Sequence, residues 1–328
     1  MTIYFCGGEP SDFIPNNCDV TTNSAYYRYS FSRCALDPKS YYYSPPFASS
    51  YTNLWGSVRF RYFHSGDSYY GILLGFRFGQ DNDNGIYFYR AGNAYVIQKE
   101  EGGSTSDLAT SASVTSTGIV YKADFYLNYG VSGVAIIYIN NSEVVRYEGD
   151  LTISGVSSFD RSIFQGGSYS SHYLSEFIVA DTDTRLMSLR TLAPNAAGDA
   201  NEWDSGSYTD IDEIEPSDAD VIATEGVGDN FQCNLTGMPT GAYKIKAVKM
   251  IASAADDQGQ MGLKIGVKTN SAVHLGTAHS LVSGWKNIEK IYYTNPETAS
   301  AFTSSEIDSL QLALRTDSTT TTTTTTTV

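Results

Sequence analysis

One loop in the N-terminal half carries side chains of the types that bind a cation. The five residues from Asp81 to Gly85 are Asp-Asn-Asp-Asn-Gly, and Ca²⁺ prefers the carboxylate and amide oxygens of such residues. A complete EF-hand loop also needs a Glu at its twelfth position, where this sequence has Gly92. Asn and Gly equally suit a tight hairpin turn, because they tolerate positive φ angles. The loop therefore predicts a hairpin connection, with Asp81 and Asp83 as candidate calcium ligands and no other cofactor.

A second acidic group, the run from Asp210 to Glu215, has the residue types of a hydrolytic site. Retaining glycoside hydrolases need a general acid and a nucleophile about 5 Å apart. Side chains alternate between the two faces of a strand, so the two aspartates would share one face and the two glutamates the other. The required pair is not formed, and we interpret the run as an acidic edge strand that ends at Pro216. We predict no catalytic residue and no enzymatic activity.

The other reactive residue types are scattered along the chain. The sequence has no nucleophile elbow, zinc-protease motif, phosphate-binding loop or dinucleotide fingerprint. The cysteines have no CxxC spacing and no adjacent histidine, so we expect isolated thiols ahead of zinc ligands or disulfides. These scattered residues are His64, His172, His274, His279, Cys6, Cys18, Cys34 and Cys233.

Short alternating segments dominate the first 180 residues. Val58, Phe60 and Tyr62 alternate with arginines, which is the period-2 signature of a half-buried strand. Turn residues separate such segments about every eight to twelve positions and no long helical pattern is present, which indicates an antiparallel β-sandwich. The further predicted strands are 71–78, 86–90, 134–140, 143–147 and 173–180.

The C-terminal half shows the same pattern on a smaller scale. Leu263, Ile265 and Val267 alternate with other residues in a further strand, and Thr303 with Glu306 matches a capping box that predicts a short helix. We expect a second small sandwich with one helical turn. The other predicted strands in this half are 243–247, 285–293 and 310–314.

Composition limits the classes of partner. The chain of 328 residues has 36 acidic and 21 basic residues, and both halves are acidic. A surface that binds nucleic acid needs clustered Lys and Arg, so we expect neither nucleic acid nor an anionic membrane as a partner. The N-terminus lacks the regions of a signal peptide, and no segment is long and apolar enough to span a bilayer. We therefore expect synthesis in a reducing cytosol, without membrane insertion.

The order of segments in the first half is similar to that of a known fold. A Tyr- and Pro-rich edge region is followed by aromatic strands, the hairpin Tyr138–Val145 and a closing strand with Phe177–Val179. This order resembles concanavalin A-like and laminin-G-like jelly rolls. The resemblance implies loops that carry calcium and sugar, and exposed aromatic rings offer sugars an apolar face, although tyrosines also suit strand packing. The candidate ligand-binding residues are Trp55, Asp81, Asn82, Asp83 and Asn84.

Several segments between Ala180 and Arg315 share a second resemblance. They are Ala180–Arg185, Trp203, Tyr208–Glu213, Asp218–Ile222, Asn295–Glu297 and Leu310–Leu314. Together they resemble a module that recurs in structural proteins of tailed bacteriophages and gene-transfer particles. We expect a jelly roll over 1–182, this module over 183–317 and a Thr-rich tail over 318–328. Within Ala180–Arg185, Asp181 and Asp183 are expected to pair with Arg185 or to cap a turn, in a hinge between the domains.

These resemblances imply a virion structural protein of a tail fibre, tail tip or head fibre, made in the host cytoplasm. The jelly roll would present a carbohydrate or receptor-binding surface, and the second module would attach or oligomerise. As partners we expect other virion proteins and a host surface glycan. We also expect the chain to form a homo-oligomer, with a trimer favoured. A capsid or tail decoration protein with a purely architectural role is the alternative, and a polysaccharide depolymerase is a weaker one.

Overall fold

The computed structural model of the protein describes residues 1–7, 19–21, 35–37, 41–62, 70–79, 84–92, 94–112, 118–165, 172–212 and 220–318. The chain forms two compact units, Met1–Thr191 and Leu192–Val328. The first unit extends past residue 182, where the sequence pattern placed its end, because residues 184 and 185 are bonded to its sheet. Of the Thr-rich tail predicted over 318–328, residues 319–328 lie outside the described residues.

The first unit is an antiparallel jelly roll of two sheets. The larger is eight-stranded, with the order β12-β11-β10-β5-β14-β3-β2 and β1 also paired to β14; the other is six-stranded, with the order β4-β13-β6-β7-β8-β9. The predicted all-β fold is confirmed. In chain order the strands are β1 (Ile3–Gly7), β2 (Asp19–Thr21), β3 (Ala35–Asp37), β4 (Tyr41–Tyr43), β5 (Asn53–Tyr62), β6 (Tyr70–Arg77), β7 (Gly85–Ala91), β8 (Ala94–Glu101), β9 (Ser104–Thr110), β10 (Val120–Asn128), β11 (Gly133–Ile139), β12 (Ser142–Gly149), β13 (Arg161–Gln165) and β14 (His172–Ala180).

Alternation along the strands builds the core between the two sheets. In β5, Leu54, Val58 and Phe60 are fully buried in that core, while Trp55 and Arg59 point to the outer face. Burying such a Leu, Val or Phe side chain contributes about 1.5–3 kcal/mol. The inward side chains therefore fix which residues of each strand remain on the outer faces, where a ligand can reach them.

The hairpin between β11 and β12 has the predicted turn. Asn140 and Asn141 have φ angles of 48° and 71°, in the left-handed region that Asn tolerates and that a two-residue hairpin requires. The neighbouring strands are those expected from the sequence, with bounds shifted by at most two residues.

Strand β14 contains a bulge that the predicted strand 173–180 does not include. Its register against β5 shifts between Ser175 and Ile178, and Glu176 has a φ of 54°. The extra residue lets Leu174 and Phe177 both face the core, three positions apart in place of two. Glu176 is thereby left on the outer face of the eight-stranded sheet.

The second unit is a smaller sandwich. Its larger sheet has the order β15-β16-β22-β18-β19, with β20 also paired to β18, and a two-stranded ribbon pairs β17 with β21. The two sheets share a core that includes Phe231, Ile265, Met250 and Ile288. In chain order the elements are β15 (Pro194–Asn201), a 3₁₀ turn (Tyr208–Asp210), β16 (Asn230–Leu235), β17 (Val248–Ala254), β18 (Met261–Thr269), β19 (Ala272–Leu275), β20 (His279–Ser280), β21 (Lys286–Tyr292), α1 (Ser304–Asp308) and β22 (Gln311–Ser318).

In the second unit, the strands predicted around Leu263, over 285–293 and over 310–314 are present, and two other local predictions failed. The capping box of Thr303 and Glu306 is present and begins α1. The acidic edge strand is wrong at Asp210, because this side chain caps the 3₁₀ turn by accepting from the backbone N–H of Ser207 at 2.8 Å. The strand predicted over 243–247 is also wrong, since β17 begins only at Val248. No described helix has the length and apolar character needed to cross a membrane.

The close approach of β18 and β19 depends on a glycine and is testable. A Cβ at Gly266 would overlap the carbonyl oxygen of His274 and lie 2.8 Å from the Cα of Leu275. We expect Gly266→Ala to lower the free energy of unfolding of the second unit by about 1–3 kcal/mol, because the strands must separate. Gly284→Ala, which meets no atom within 4 Å, is the control and should change it by less than about 0.5 kcal/mol. Chemical denaturation measures both variants, and equal losses of unfolding free energy would contradict the role given to Gly266.

Candidate functional site

Three aromatic side chains lie side by side on the outer face of the eight-stranded sheet. Trp55 of β5 pairs with Tyr126 of β10 in the sheet register, and Tyr138 of β11 pairs with Asp124 of β10. The ring centroids of Trp55 and Tyr126 are 4.8 Å apart, and those of Trp55 and Tyr138 are 6.0 Å apart with planes inclined by 17°. Trp55 and Tyr126 are half-buried and Tyr138 is buried. We call these three residues the aromatic pad.

The guanidinium group of Arg185 lies over the aromatic pad. Its Cζ is 4.6 Å from the ring centroid of Tyr138 and 5.6 Å from that of Trp55, which are cation–π distances. Its Nε and Nη2 donate to the carboxylate of Asp183 at 2.6–3.0 Å, in a bidentate pair. Burial acts to raise the pKa of Asp183, but the hydrogen bonds from Arg185 outweigh burial and hold this pKa below its ordinary value. The pair is therefore ionised at neutral pH.

The backbone that carries this pair is fixed to the sheet. We call the segment 181–187 the strap. Thr184 of the strap is fully buried, and its hydroxyl lies 3.1 Å from the carbonyl oxygen of Gly56 and 2.9 Å from Oδ1 of Asp124. The ammonium group of Lys122 donates to Asp124 Oδ1 at 2.6 Å and to the carbonyl oxygens of Thr184 and the next residue at 2.7 and 2.9 Å. All three of its N–H donors are thus used.

Two buried ion pairs occupy neighbouring strands on this face. Lys122 with Asp124 forms one, and Arg59 Nε donates to Glu176 Oε2 at 2.7 Å in the other. Arg59 and Lys122 are opposite each other in the sheet register, and the side chains of both pairs are at most 8% exposed. Burial lowers the pKa of Lys122, and the charge and hydrogen bond of Asp124 oppose that effect. The bulge at Glu176 thus has a clear role, because it supplies the acid for the second pair.

The structure places two of the candidate ligand-binding residues, Trp55 and Asn84, at different sheets. Trp55 is on the outer face of the eight-stranded sheet, whereas Asn84 precedes β7 of the six-stranded sheet. Asn84 Oδ1 accepts a hydrogen bond from the backbone N–H of Gly102 at 2.8 Å, so its side chain holds the turn between β8 and β9. Asp81, Asn82 and Asp83 lie outside the described residues, and the calcium site proposed there stays a prediction.

The outer face of the six-stranded sheet carries tyrosines whose hydroxyls are already bonded. Tyr87 donates to Glu100 Oε2 at 2.6 Å, and Tyr89 donates to Asp107 Oδ1 at 2.8 Å. Both rings are almost fully buried, with 2% and 8% exposure. These tyrosines therefore do not offer an open stacking surface, unlike the half-buried rings of the aromatic pad.

The scattered reactive residues do not assemble into a metal centre within the described ranges. No group of three or more His, Cys, Asp and Glu side chains there could hold a metal ion. Cys6 and Cys233 are buried, and burial raises the pKa of Cys233 to about 12, which makes it unreactive. Cys18 and Cys34 are outside the described residues.

Sequence reasoning found one residue of the pad and missed its neighbours. Tyr126 and Tyr138 stand at outward positions of β10 and β11, and alternation against the core residues on either side could have identified them. The expected pairing of Asp183 with Arg185 is present. The expected hinge is wrong, because the strap is bonded to the sheet through Lys122 and Thr184. No local pattern marks a contact between residues so far apart in the chain.

The comparisons with known proteins found similarity only among solved structures. No protein-family model and no curated protein matches the sequence. A carbohydrate-binding module from Bacillus subtilis is 12% identical, with a TM-score of 0.36 and coverage of 51% of this chain and 92% of that chain. A galectin from Caenorhabditis elegans is 15% identical, with a TM-score of 0.31 and coverage of 43% and 96%. An endo-β-1,4-glucuronan lyase from the fungus Trichoderma reesei is 13% identical, with a TM-score of 0.39 and coverage of 55% and 96%.

The comparisons overturn the expectation that the chain is not an enzyme. Several of the similar structures are polysaccharide lyases, among them alginate lyases as well as the glucuronan lyase. The sequence argument considered hydrolytic carboxylate pairs and common catalytic motifs, and did not consider elimination chemistry. The exclusion of enzymatic activity was therefore wrong.

The anchoring of the strap by Lys122 is testable by substitution. Lys122→Met leaves the carboxylate of Asp124 buried without a counter-ion and removes both bonds to the strap, so we expect the first unit to lose about 3–5 kcal/mol of unfolding free energy. Arg146→Met is the matched control, since the pairs of Arg146 with Glu143 and Glu148 are exposed, and its loss should be about 0–1 kcal/mol. Chemical denaturation measures both. A loss for Lys122→Met no larger than the control would rule out the anchoring role.

Proposed function

We propose that the first unit binds a carbohydrate at the aromatic pad. The observation that carries the proposal is the position of the Arg185–Asp183 pair, whose guanidinium lies over the rings of Trp55 and Tyr138. A sugar ring presents an apolar face that packs on aromatic rings, and its hydroxyl groups need both donors and acceptors. The pad and the pair supply all three on one rigid sheet face.

The details of the pair fit hydroxyl recognition. Nη1 of Arg185 makes no hydrogen bond with any described residue, so it is an available donor. The carboxylate of Asp183 provides acceptor capacity next to it. The guanidinium lies closer to Tyr138 than to Trp55, which leaves the half-buried Trp55 and Tyr126 for stacking. Because the charges of Arg185 and Asp183 cancel, a neutral sugar fits better than a strongly charged one.

The proposal extends to the biological setting through the sequence resemblance of the region Ala180–Arg315. We propose that the chain is a structural protein of a bacteriophage or phage-like particle and that its first unit displays the pad toward host glycans. Many copies on one particle would turn a weak contact with each sugar into stable attachment. Loops and faces of a rigid sandwich are common positions for such recognition.

The pad predicts which substitutions weaken glycan binding. On a glycan array, the intact chain should retain a subset of neutral sugars, and Trp55→Ala should weaken that binding about tenfold or more through the lost stacking. Arg185→Met should also weaken it, because the free donor is lost. The matched control is Trp285→Ala, since Trp285 is a 48% exposed tryptophan of the second unit, and its binding should equal that of the intact chain.

Other outcomes of the same experiment separate the competing functions. Absence of binding across host-surface sugars would reject the proposal and favour a purely architectural decoration protein. Binding that Trp55→Ala and Arg185→Met leave unchanged would place the sugar elsewhere on the chain. The incubated glycans are also assayed for new reducing ends and unsaturated sugars. Formation of such products would indicate depolymerase activity in place of binding alone.

The proposed virion role predicts a visible location. Imaging of particles with and without the protein should show density at a fibre or at the tail tip that disappears when the protein is removed, because the first unit must be exposed to meet host glycans. Density only on the capsid or tail wall would support the architectural role. If the protein is not detected in purified unaltered particles, that result would contradict any virion role.

A further inference from the structure

Charge is segregated along the second unit. Residues 191–243 contain no Lys, Arg or His and eleven Asp or Glu, whereas residues 244–290 contain seven Lys and three Asp or Glu. The net charge of each half of the chain conceals this contrast, because it averages the two blocks. Blocks of one sign that alternate along a folded unit point to interaction surfaces.

Four acidic residues of this block form an exposed surface and make no salt bridge with any described cation. Glu202, Asp204, Asp220 and Glu225 are exposed. Their carboxylates accept backbone and amide hydrogen bonds where they have partners: Glu202 from Asn230 at 2.8 Å, and Asp204 from the N–H of Glu225 at 2.8 Å. The bonds from Asn230 hold the pKa of Glu202 below its ordinary value. We call these four residues the acidic surface.

In the basic block, three lysines at one end of the ribbon make no salt bridge with any described acidic residue. Lys244 and Lys246 are exposed just before β17, and Lys290 of β21 lies over the ring of Tyr292, 5.7 Å from its centroid. Their neighbours include Tyr243 and Tyr293, which are 36% and 40% exposed. We call Lys244, Lys246 and Lys290 the lysine patch.

The other lysines of this block are accounted for. Lys249, Lys264 and Lys268 form salt bridges with Glu289, Asp317 and Asp199. Lys286 stands at the other end of β21, four residues from Lys290, which is about 13 Å at the usual rise per strand residue. The uncompensated positive charge of the block therefore concentrates at the end of the ribbon where Val248 pairs with Tyr292.

The two surfaces lie next to different strands of the larger sheet, in which β18 separates β22 from β19. The acidic surface is held near the end of β22, where the hydroxyl of Thr316 donates to the carbonyl oxygen of Gly226 at 2.7 Å. The lysine patch lies beside β19, where Tyr292 donates to the carbonyl oxygen of His274 at 2.6 Å. Among the described residues, no salt bridge joins the lysine patch to the acidic surface of the same copy.

We propose that the lysine patch docks on the acidic surface of a second copy of this chain. The charges are complementary, both surfaces are exposed, and the aromatic rings beside the lysines add apolar contact area of the kind enriched at interfaces. Because the two surfaces differ, the contact is head-to-tail, and its repetition closes a ring or continues a row of copies. The proposal does not depend on glycan binding by the first unit.

The test measures self-association of the full chain by sedimentation velocity at about 20 mM and about 500 mM salt, since added salt screens exposed charges. We expect association at low salt and a shift toward monomer at high salt. Lys244→Glu with Lys246→Glu should abolish association at low salt. Lys286→Glu is the control of the same chemistry at the far end of the ribbon, and it should associate like the unaltered chain.

A charge-swap experiment decides the identity of the partner surface. Asp220→Lys with Glu225→Lys should also abolish self-association, since neither side chain holds a loop together. An equimolar mixture of this variant with Lys244→Glu/Lys246→Glu should restore paired copies, because the reversed surfaces are complementary again.

Three results would overturn the proposal. A chain that is monomeric at both salt concentrations has no such contact. Association that persists in Lys244→Glu/Lys246→Glu, or that Lys286→Glu abolishes equally, places the contact elsewhere. A monomeric chain whose lysine patch retains a DNA oligonucleotide would show that the patch serves nucleic acid and not a second copy.

Discussion

The buried ammonium group of Lys122 constrains the outer face of the eight-stranded sheet. A charge that is removed from water must be paired and fully hydrogen-bonded, and Lys122 meets this condition only when Asp124 and two strap carbonyl oxygens surround it. The strap is therefore required for the hydrogen bonding of this buried ammonium group. Its position follows from the need to satisfy this ammonium, and the placement of Arg185 over the aromatic pad follows in turn from the position of the strap.

The fold was largely predictable because its signals are local. Alternation in β5, the Asn-rich turn between β11 and β12, and the capping box at Thr303 each depend on residues close in sequence. The predictions failed where long-range packing decided the outcome. The strand expected at 243–247 has the right alternation but is not paired. The bulge at Glu176 could have been noticed from the three-residue spacing of Leu174 and Phe177, yet its purpose depends on Arg59, in a distant strand.

The candidate site was predictable only in part, for the same reason. Trp55 was recognisable as an aromatic residue at an outward strand position, but its partners come from three other parts of the chain. Motif searches and averaged charge were also misleading. A search for hydrolytic carboxylates excluded one kind of catalysis and not others, and the net charge of each half of the chain concealed both the lysine patch and the acidic surface.

The bonds of Thr184 have a consequence for the order in which the first unit folds. Its hydroxyl contacts Gly56 and Asp124, which are 128 and 60 residues earlier in the chain. Contacts between residues so distant require long loops to close first, and such contacts slow folding and form late. Local hairpins such as β11–β12 can assemble early, while the strap can settle only on a sheet in which β5, β10 and β14 are already adjacent. We therefore expect Arg185 to reach the rings late in folding.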